Sequence, residues 1–278
     1  MPRILVAEGN GPAVRQRNKT LTGQTPGESY AAVLRRLAPD ATVDIACPAD
    51  PDPGLPADID SYDAVAVTGS ALNIHRHEPE SLRQIDFARE VFGRGTPMFG
   101  SCWGLQLAAV AAGGEVARNP RGREVGFARK VTLTEAGRGH PMHAGRAVAF
   151  DAPAIHADEV VALPADAVVT ASNAISQVQA AEIRHGRGVF WGVQYHPEYR
   201  LDEVSGVVRR YGQLLVDEGF FGSLEALDTY ARDIDALHAD PTRTDIAWRL
   251  AIGREILVEE ERLREIANWL ALRVRPER

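Results

Sequence analysis

The chain has 278 residues, 45% hydrophobic and 25% charged, an ordinary globular balance with ample apolar material for a core. Its formal net charge of −7 lacks the basic excess of nucleic-acid binders, so no nucleic-acid partner is expected. No apolar stretch is long enough to span a bilayer, and the N-terminal run is too short for a signal peptide, so a cytoplasmic protein without a membrane role is expected.

Residues 3–7 (RILVA) read as a buried strand, and the Gly-, Pro-, Thr- and Asn-rich stretch 9–26 reads as a long loop. A helix is predicted over 28–37, a strand over 41–47, a Pro/Asp-rich linker after it, and a third strand over 63–70 running into a glycine turn. A helix over 79–92, a short strand over 97–100 and an apolar helix over 103–112, closed by Gly113-Gly114, continue the alternation. Such alternation argues for βαβ units and a parallel sheet. Residues 115–195 hold short strand-like runs and little helix, which predicts an antiparallel or mixed section, and 202–218 return to helix. From residue 223 the chain is charged and amphipathic, interrupted at Asp240-Pro241, with apolar residues at Leu250, Leu257, Ile266 and Leu270 and with Trp248 and Trp269. This segment reads as helices docked on their own domain, with a partner or dimer interface as the alternative. The fold class is therefore α/β: an open, mostly parallel twisted sheet flanked by helices, a smaller antiparallel section, and a C-terminal helical extension. The expected division is 1–222 and 223–278.

The sharpest chemical signal is Gly100-Ser101-Cys102-Trp103-Gly104, set between an apolar strand and an apolar helix. This is the glycine-flanked nucleophile elbow with cysteine in the serine position. The small neighbours allow a sharp turn, and a thiol at a helix N-terminus is favoured as thiolate. Cys47 and Cys102 form no CxxC and no metal-ligand spacing, so two free thiols, no metal and no organic cofactor are expected. A cysteine nucleophile needs a base, and eight histidines compete. His75, His77, His140, His143, His185 and His238 lie in polar or helical stretches and read as surface residues. His196 follows a strand-like run (residues 189–195), where open α/β sheets bind ligands, and Glu198 is placed to orient its ring. Amide cleavage also needs N–H donors for an oxyanion. The Trp103 amide and the glycine turn at Gly69-Ser70 are the candidates.

These elements, in this order, resemble the class I (triad-type) glutamine amidotransferases, particularly proteins similar to the amidotransferase domain of GMP synthase. The matching segments are residues 67–70 (VTGS), 97–114 (PMFGSCWGLQLAAVAAGG), 119–126, 156–160 (HADEV), 163–173 and 191–198 (WGVQYHPE). The resemblance implies a flavodoxin-like amidotransferase fold and a glutaminase half-reaction. Cys102 would form a γ-glutamyl thioester with release of ammonia, His196 would activate the hydrolytic water, and Glu198 would orient His196. Gln106 matches the substrate-holding glutamine. Gly69, Ser70 and Trp103 match the oxyanion and substrate loop, and His156, Ala157 and Asp158 match a loop that contacts the α-carboxylate and amine. L-glutamine or another γ-glutamyl compound is the implied substrate, with room for a separate synthetase or acceptor subunit and for a homo-oligomer. No ATP-pyrophosphatase motif and no GxxxxGK[ST] occurs in the chain. Trp103, beside the nucleophile, is expected to reshape the pocket. The alternatives are a γ-glutamyl amide or peptide hydrolase using the same triad, and a non-catalytic binding protein on the same fold.

Overall fold

A computed structural model describes residues 1–274, so the last four residues of the 223–278 extension lie outside it. β1 (Arg3–Ala7) leads into α1 (Pro12–Thr22) and α2 (Pro26–Leu37). β2 (Thr42–Ala46) and β3 (Ala64–Val67) precede α3 (Pro79–Arg94), and β4 (Met98–Ser101) runs straight into α4 (Trp103–Ala111). The middle holds β5 (Glu115–Arg118), β6 (Glu124–Leu133), α5 (Glu135–Arg138), β7 (Ala149–His156), β8 (Asp158–Ala162), β9 (Ala167–Ser172), β10 (Ala180–His185) and β11 (Gly188–Val193). Then come α6 (Leu201–Asp217), α7 (Leu224–Ala239) and the short helices α8 (Thr244–Leu250), α9 (Arg254–Leu257), α10 (Glu259–Arg262) and α11 (Arg264–Trp269).

The main sheet has nine strands in the order β2-β1-β3-β4-β11-β10-β9-β6-β7. The first five are mutually parallel, whereas β10, β9, β6 and β7 join through antiparallel pairs. Most antiparallel strands thus extend the main sheet, and the separate small section is the β5–β8 pair. Strand side chains alternate between faces. Accordingly Ile4 and Val6 enter a core shared with α2 and α11, while Leu5 and Ala7 enter the opposite core with α3 and α4.

Residues 9–26, expected to be a long loop, contain α1. Its punctuation is helical: Pro12 stands in the first turn, and Gly23 follows the last residue at φ 81°. The same two residue types also mark loops. Among the described side chains of this helix the buried one is polar, Asn18. At the other end of the chain, α7 stops at Ala239, before Asp240-Pro241. Leu263, Ile266, Trp269 and Leu270 join the core of β1, β4 and β11, with the Trp269 ring 5.7 Å from Phe99. The fully buried Glu265 carboxylate accepts the Tyr195 hydroxyl at 2.9 Å and pairs with Arg146. Trp248 departs from the expected stripe and is 85% exposed.

Candidate active site

Parallel register brings the candidate residues to one edge. Val67 lies opposite Gly100, and Ser101 opposite Val193. The chain segments leaving β3, β4 and β11 at their carboxyl ends therefore emerge side by side, where open α/β sheets place their ligands. Cys102 is the hinge between β4 and α4. Its backbone is held at φ 52° and ψ −99°, and its N–H donates to the Val193 carbonyl at 2.7 Å. A non-glycine residue at positive φ is strained, and that strain marks the elbow. The flanking glycines are steric requirements. A Cβ on Gly100 would fall 2.8 Å from the Gly104 Cα, and one on Gly104 would fall 2.9 Å from the Val67 carbonyl oxygen. The buried thiol lies 3.9 Å from the Ile155 carbonyl.

His196 reaches the same point from β11. Its backbone N–H donates to Pro153 O at 2.7 Å, and its Nδ1 donates to Glu198 Oε1 at 2.7 Å. The ring stacks on Tyr199 with centroids 4.0 Å apart and planes 8° from parallel, and the Cys102 sulfur lies close enough to act on its charge. Burial by itself pushes the imidazole toward neutrality. The Glu198 charge and the hydrogen bonds to Cys102 and Glu198 outweigh it, raising the pKa to about 10. At neutral pH the ring is thus an imidazolium between a carboxylate and a sulfur. Gly69 gives the ring its space, because a Cβ there would fall 2.5 Å from His196 Cε1.

The other predicted residues divide. Gln106, one turn along α4, donates from Nε2 to the Asp158 carbonyl at 3.1 Å. The His156 imidazole is turned to Glu124 Oε2 (2.8 Å) and the Asp158 carbonyl (2.9 Å), so its ring is engaged in the scaffold. Ala157 accepts the Asn119 N–H through its carbonyl. Asp158 receives Asn73 Nδ2 at 2.8 Å and has His75 at 3.3 Å. The Ser70 hydroxyl donates to Gly9 O at 2.8 Å. Trp103 departs from its expected role in the pocket: its indole is buried in the core and donates to Gln84 at 2.8 Å. Only its main chain remains at the elbow. His143, expected at the surface, is buried 3.5 Å from Glu265.

Several residues that complete the site carried no recognisable motif. Ser101 Oγ donates to Glu198 Oε2 at 2.8 Å and lies 3.3 Å from the Tyr30 hydroxyl, so the acid is held on both oxygens. Glu8 and Asn10 tie the loop after β1 to the glycine turn: Asn10 Nδ2 donates to Glu8 (2.9 Å) and to Gly69 O (3.2 Å). Burial raises the Glu8 carboxyl above the usual range. Apart from Asn10–Glu8, these contacts join residues 59 to 97 positions apart, so no spacing rule reveals them. Among the described residues no cluster of three His, Cys, Asp or Glu side chains is arranged to hold a metal ion. The arrangement brings together a thiol, an imidazole and a carboxylate, groups of the kind that acyl transfer through a covalent intermediate requires.

Residues 58–208 match the family model described as glutamine amidotransferase class-I. The chain is 41% identical to a gamma-glutamyl-L-1-hydroxyisopropylamide hydrolase of Pseudomonas sp, over 96% of this chain and 92% of that protein. It is 35% identical to the GMP synthase of Sodalis glossinidius over 43% of its own length and only 24% of that enzyme's. A solved glutamine amidotransferase from Thermotoga maritima superposes with a TM-score of 0.63 at 17% identity, covering 91% of this chain and 99% of that one, which is a likeness of fold.

Proposed function

The chain belongs to the class-I glutamine amidotransferase family, and we propose that within it this enzyme hydrolyses small γ-glutamyl amides to glutamate and a free amine. One observation carries the choice of substrate. The 41% identity to a γ-glutamyl amide hydrolase runs over 96% of this chain, far beyond the region 58–208 that the family model covers. The likeness to a GMP synthase spans 43% of the chain.

In the first half-reaction the Cys102 thiolate adds to the γ-carbonyl carbon. The oxyanion is received by main-chain N–H groups of Trp103 and the Gly69-Ser70 turn. The tetrahedral intermediate collapses as the His196 imidazolium gives its proton to the departing amine, leaving a γ-glutamyl thioester and neutral imidazole. Water then enters, His196 takes one of its protons, and hydroxide adds to the thioester carbonyl. Collapse expels the Cys102 thiolate, so glutamate leaves and the thiolate–imidazolium pair is restored. Glu198 keeps the imidazole in the orientation and tautomer both steps need. Gln106 and the 156–158 loop hold the γ-glutamyl end.

Steady-state kinetics on γ-glutamyl amides of small amines, beside glutamine, tests the reading. The expected result is a higher kcat/KM for the substituted amides, with glutamate and amine formed in equal amounts. A preference for glutamine overturns it. That outcome favours the second reading, supported by the family match and the GMP synthase likeness: glutamine hydrolysis, with ammonia passed to a separate synthetase or acceptor subunit.

A further inference from the structure

His196 opens onto a recess bounded by α1, the start of α2, and α6. It is lined by His196, Gly69 and Ile155, and a second cavity adjoins it at Tyr199. The two adjoining parts share Asn18, Pro26, Gly69, Tyr199 and Arg210. Gln106, His156 and Asp158, the groups proposed to hold the γ-glutamyl end, line neither part. Resting on the hydrolase reading, we propose that this recess is the leaving-group subsite, and that Arg210 and Asn18 select amines bearing a neutral oxygen acceptor such as a hydroxyl.

The direction follows from the proton. The leaving nitrogen must lie at the His196 ring to receive it, so the amine's substituent occupies the space the ring faces. The chemistry follows from the walls. The Tyr199 ring, Pro26 and Val207 offer apolar contact to a short alkyl group, and Gly206 adds no side chain. Arg210 Nη1 donates to Asn18 Oδ1 at 2.5 Å, which spans α6 to α1 across the recess. A guanidinium carries five N–H donors, so others remain for a ligand. The Arg210 guanidinium also lies over the Tyr211 ring, 5.1 Å from its centroid. Glu198 and Glu203 also line the adjoining part. Glu198 is spent on His196 and Ser101, and Glu203 on the Ser29 hydroxyl at 2.5 Å and the Arg200 N–H at 2.9 Å. Two acidic side chains oppose a second carboxylate, whereas a hydroxyl can accept from Arg210 without repulsion. An amino alcohol therefore fits better than an amino acid.

The test compares three γ-glutamyl amides: those of 2-aminopropan-1-ol, of isopropylamine, and of alanine (the carboxylate analogue). Full-length wild type, Arg210→Met and Asn18→Leu are assayed, with thermal melting to verify folding. In wild type the hydroxylated amide is expected to lead both others in kcat/KM. In each variant the ratio of hydroxylated to unhydroxylated amide should fall about tenfold, the size expected when one hydrogen bond to a charged donor is lost. An unchanged ratio in both folded variants overturns the subsite while leaving the hydrolase reading intact. A lead for the alanine conjugate overturns the preference for a neutral oxygen. A wild type that cleaves none of the three overturns the hydrolase reading itself and the subsite with it.

Discussion

At the scale of single residues the site is a chain of contacts running Tyr30–Ser101–Glu198–His196–Cys102. Replacing the sulfur removes the covalent step, so Cys102→Ala should lower kcat by at least about 10⁴-fold with the fold retained; activity within tenfold of wild type contradicts the mechanism. The proton balance is equally testable. The His196 pKa is raised to about 10, above its ordinary 6.5, so the imidazolium contributes stability that is complete below about pH 6.5 and lost as pH rises through about 10. The same deprotonation removes the acid for the leaving amine. The alkaline limb of kcat/KM should therefore fall near pH 10 and move to lower pH in Glu198→Gln, because the neutral amide no longer favours the charged ring. An unmoved limb in that variant means another group sets it. Gly69→Ala is the steric counterpart. The new methyl would lie 2.5 Å from His196 Cε1 and must displace the ring, costing about 10²-fold in kcat for a shift of around 1 Å, with little loss of melting temperature.

At the scale of elements, two short segments carry the proposed catalytic residues and a remote helix packs against both. β4 leads to Cys102 and β11 leads to His196. The α11 segment touches each just upstream, Trp269 against Phe99 and Glu265 on the Tyr195 hydroxyl. Burial raises the Glu265 pKa, but Arg146 and His143 more than offset it and hold the carboxyl at about 2. A depressed carboxylate stabilises the fold fully above its ordinary 4.5, and the contribution is lost as pH falls toward 2. The shift corresponds to roughly 3 kcal/mol. Glu265→Gln should lower stability at neutral pH by about 3 kcal/mol, since it strands Arg146, and should flatten the acid side of the stability profile. Denaturant unfolding at pH 7 and pH 3 measures both effects, and an equal loss at the two pH values argues against the depressed carboxylate. The α1 helix shows what periodicity misses. It buries a polar residue, Asn18, so its position over the site depends on pairs such as Arg15–Asp50 at 2.6 Å and Arg210–Asn18.

At the scale of the whole molecule, one sheet carries two cores, and the C-terminal residues Leu263, Ile266, Trp269 and Leu270 belong to the same core as β1 and β4. We expect a single calorimetric unfolding transition with equal calorimetric and van't Hoff enthalpies; a separate early transition would mean that residues beyond 222 melt independently. Much of this was legible in order along the chain. Apolar runs bounded by turns marked β1 to β4, and small residues around Cys102 marked the elbow, because local sterics decide both. The pairing of Cys102 with His196-Pro197-Glu198 was legible because each motif ends a strand and parallel sheets gather strand ends. What stayed hidden had no local signature: Ser101 and Tyr30 behind Glu198, Tyr199 beneath the imidazole, and Arg210 reaching Asn18. Trp103 looked like a pocket residue because it adjoins the nucleophile, yet helix geometry turns its side chain toward Gln84. Sequence by itself pointed to the candidate nucleophile and base and determined the alternating framework, since each depends on residue type and near neighbours. The tertiary structure alone decided what surrounds the leaving group and what braces the two strand ends, since those contacts join residues scores of positions apart that meet only once the chain has packed.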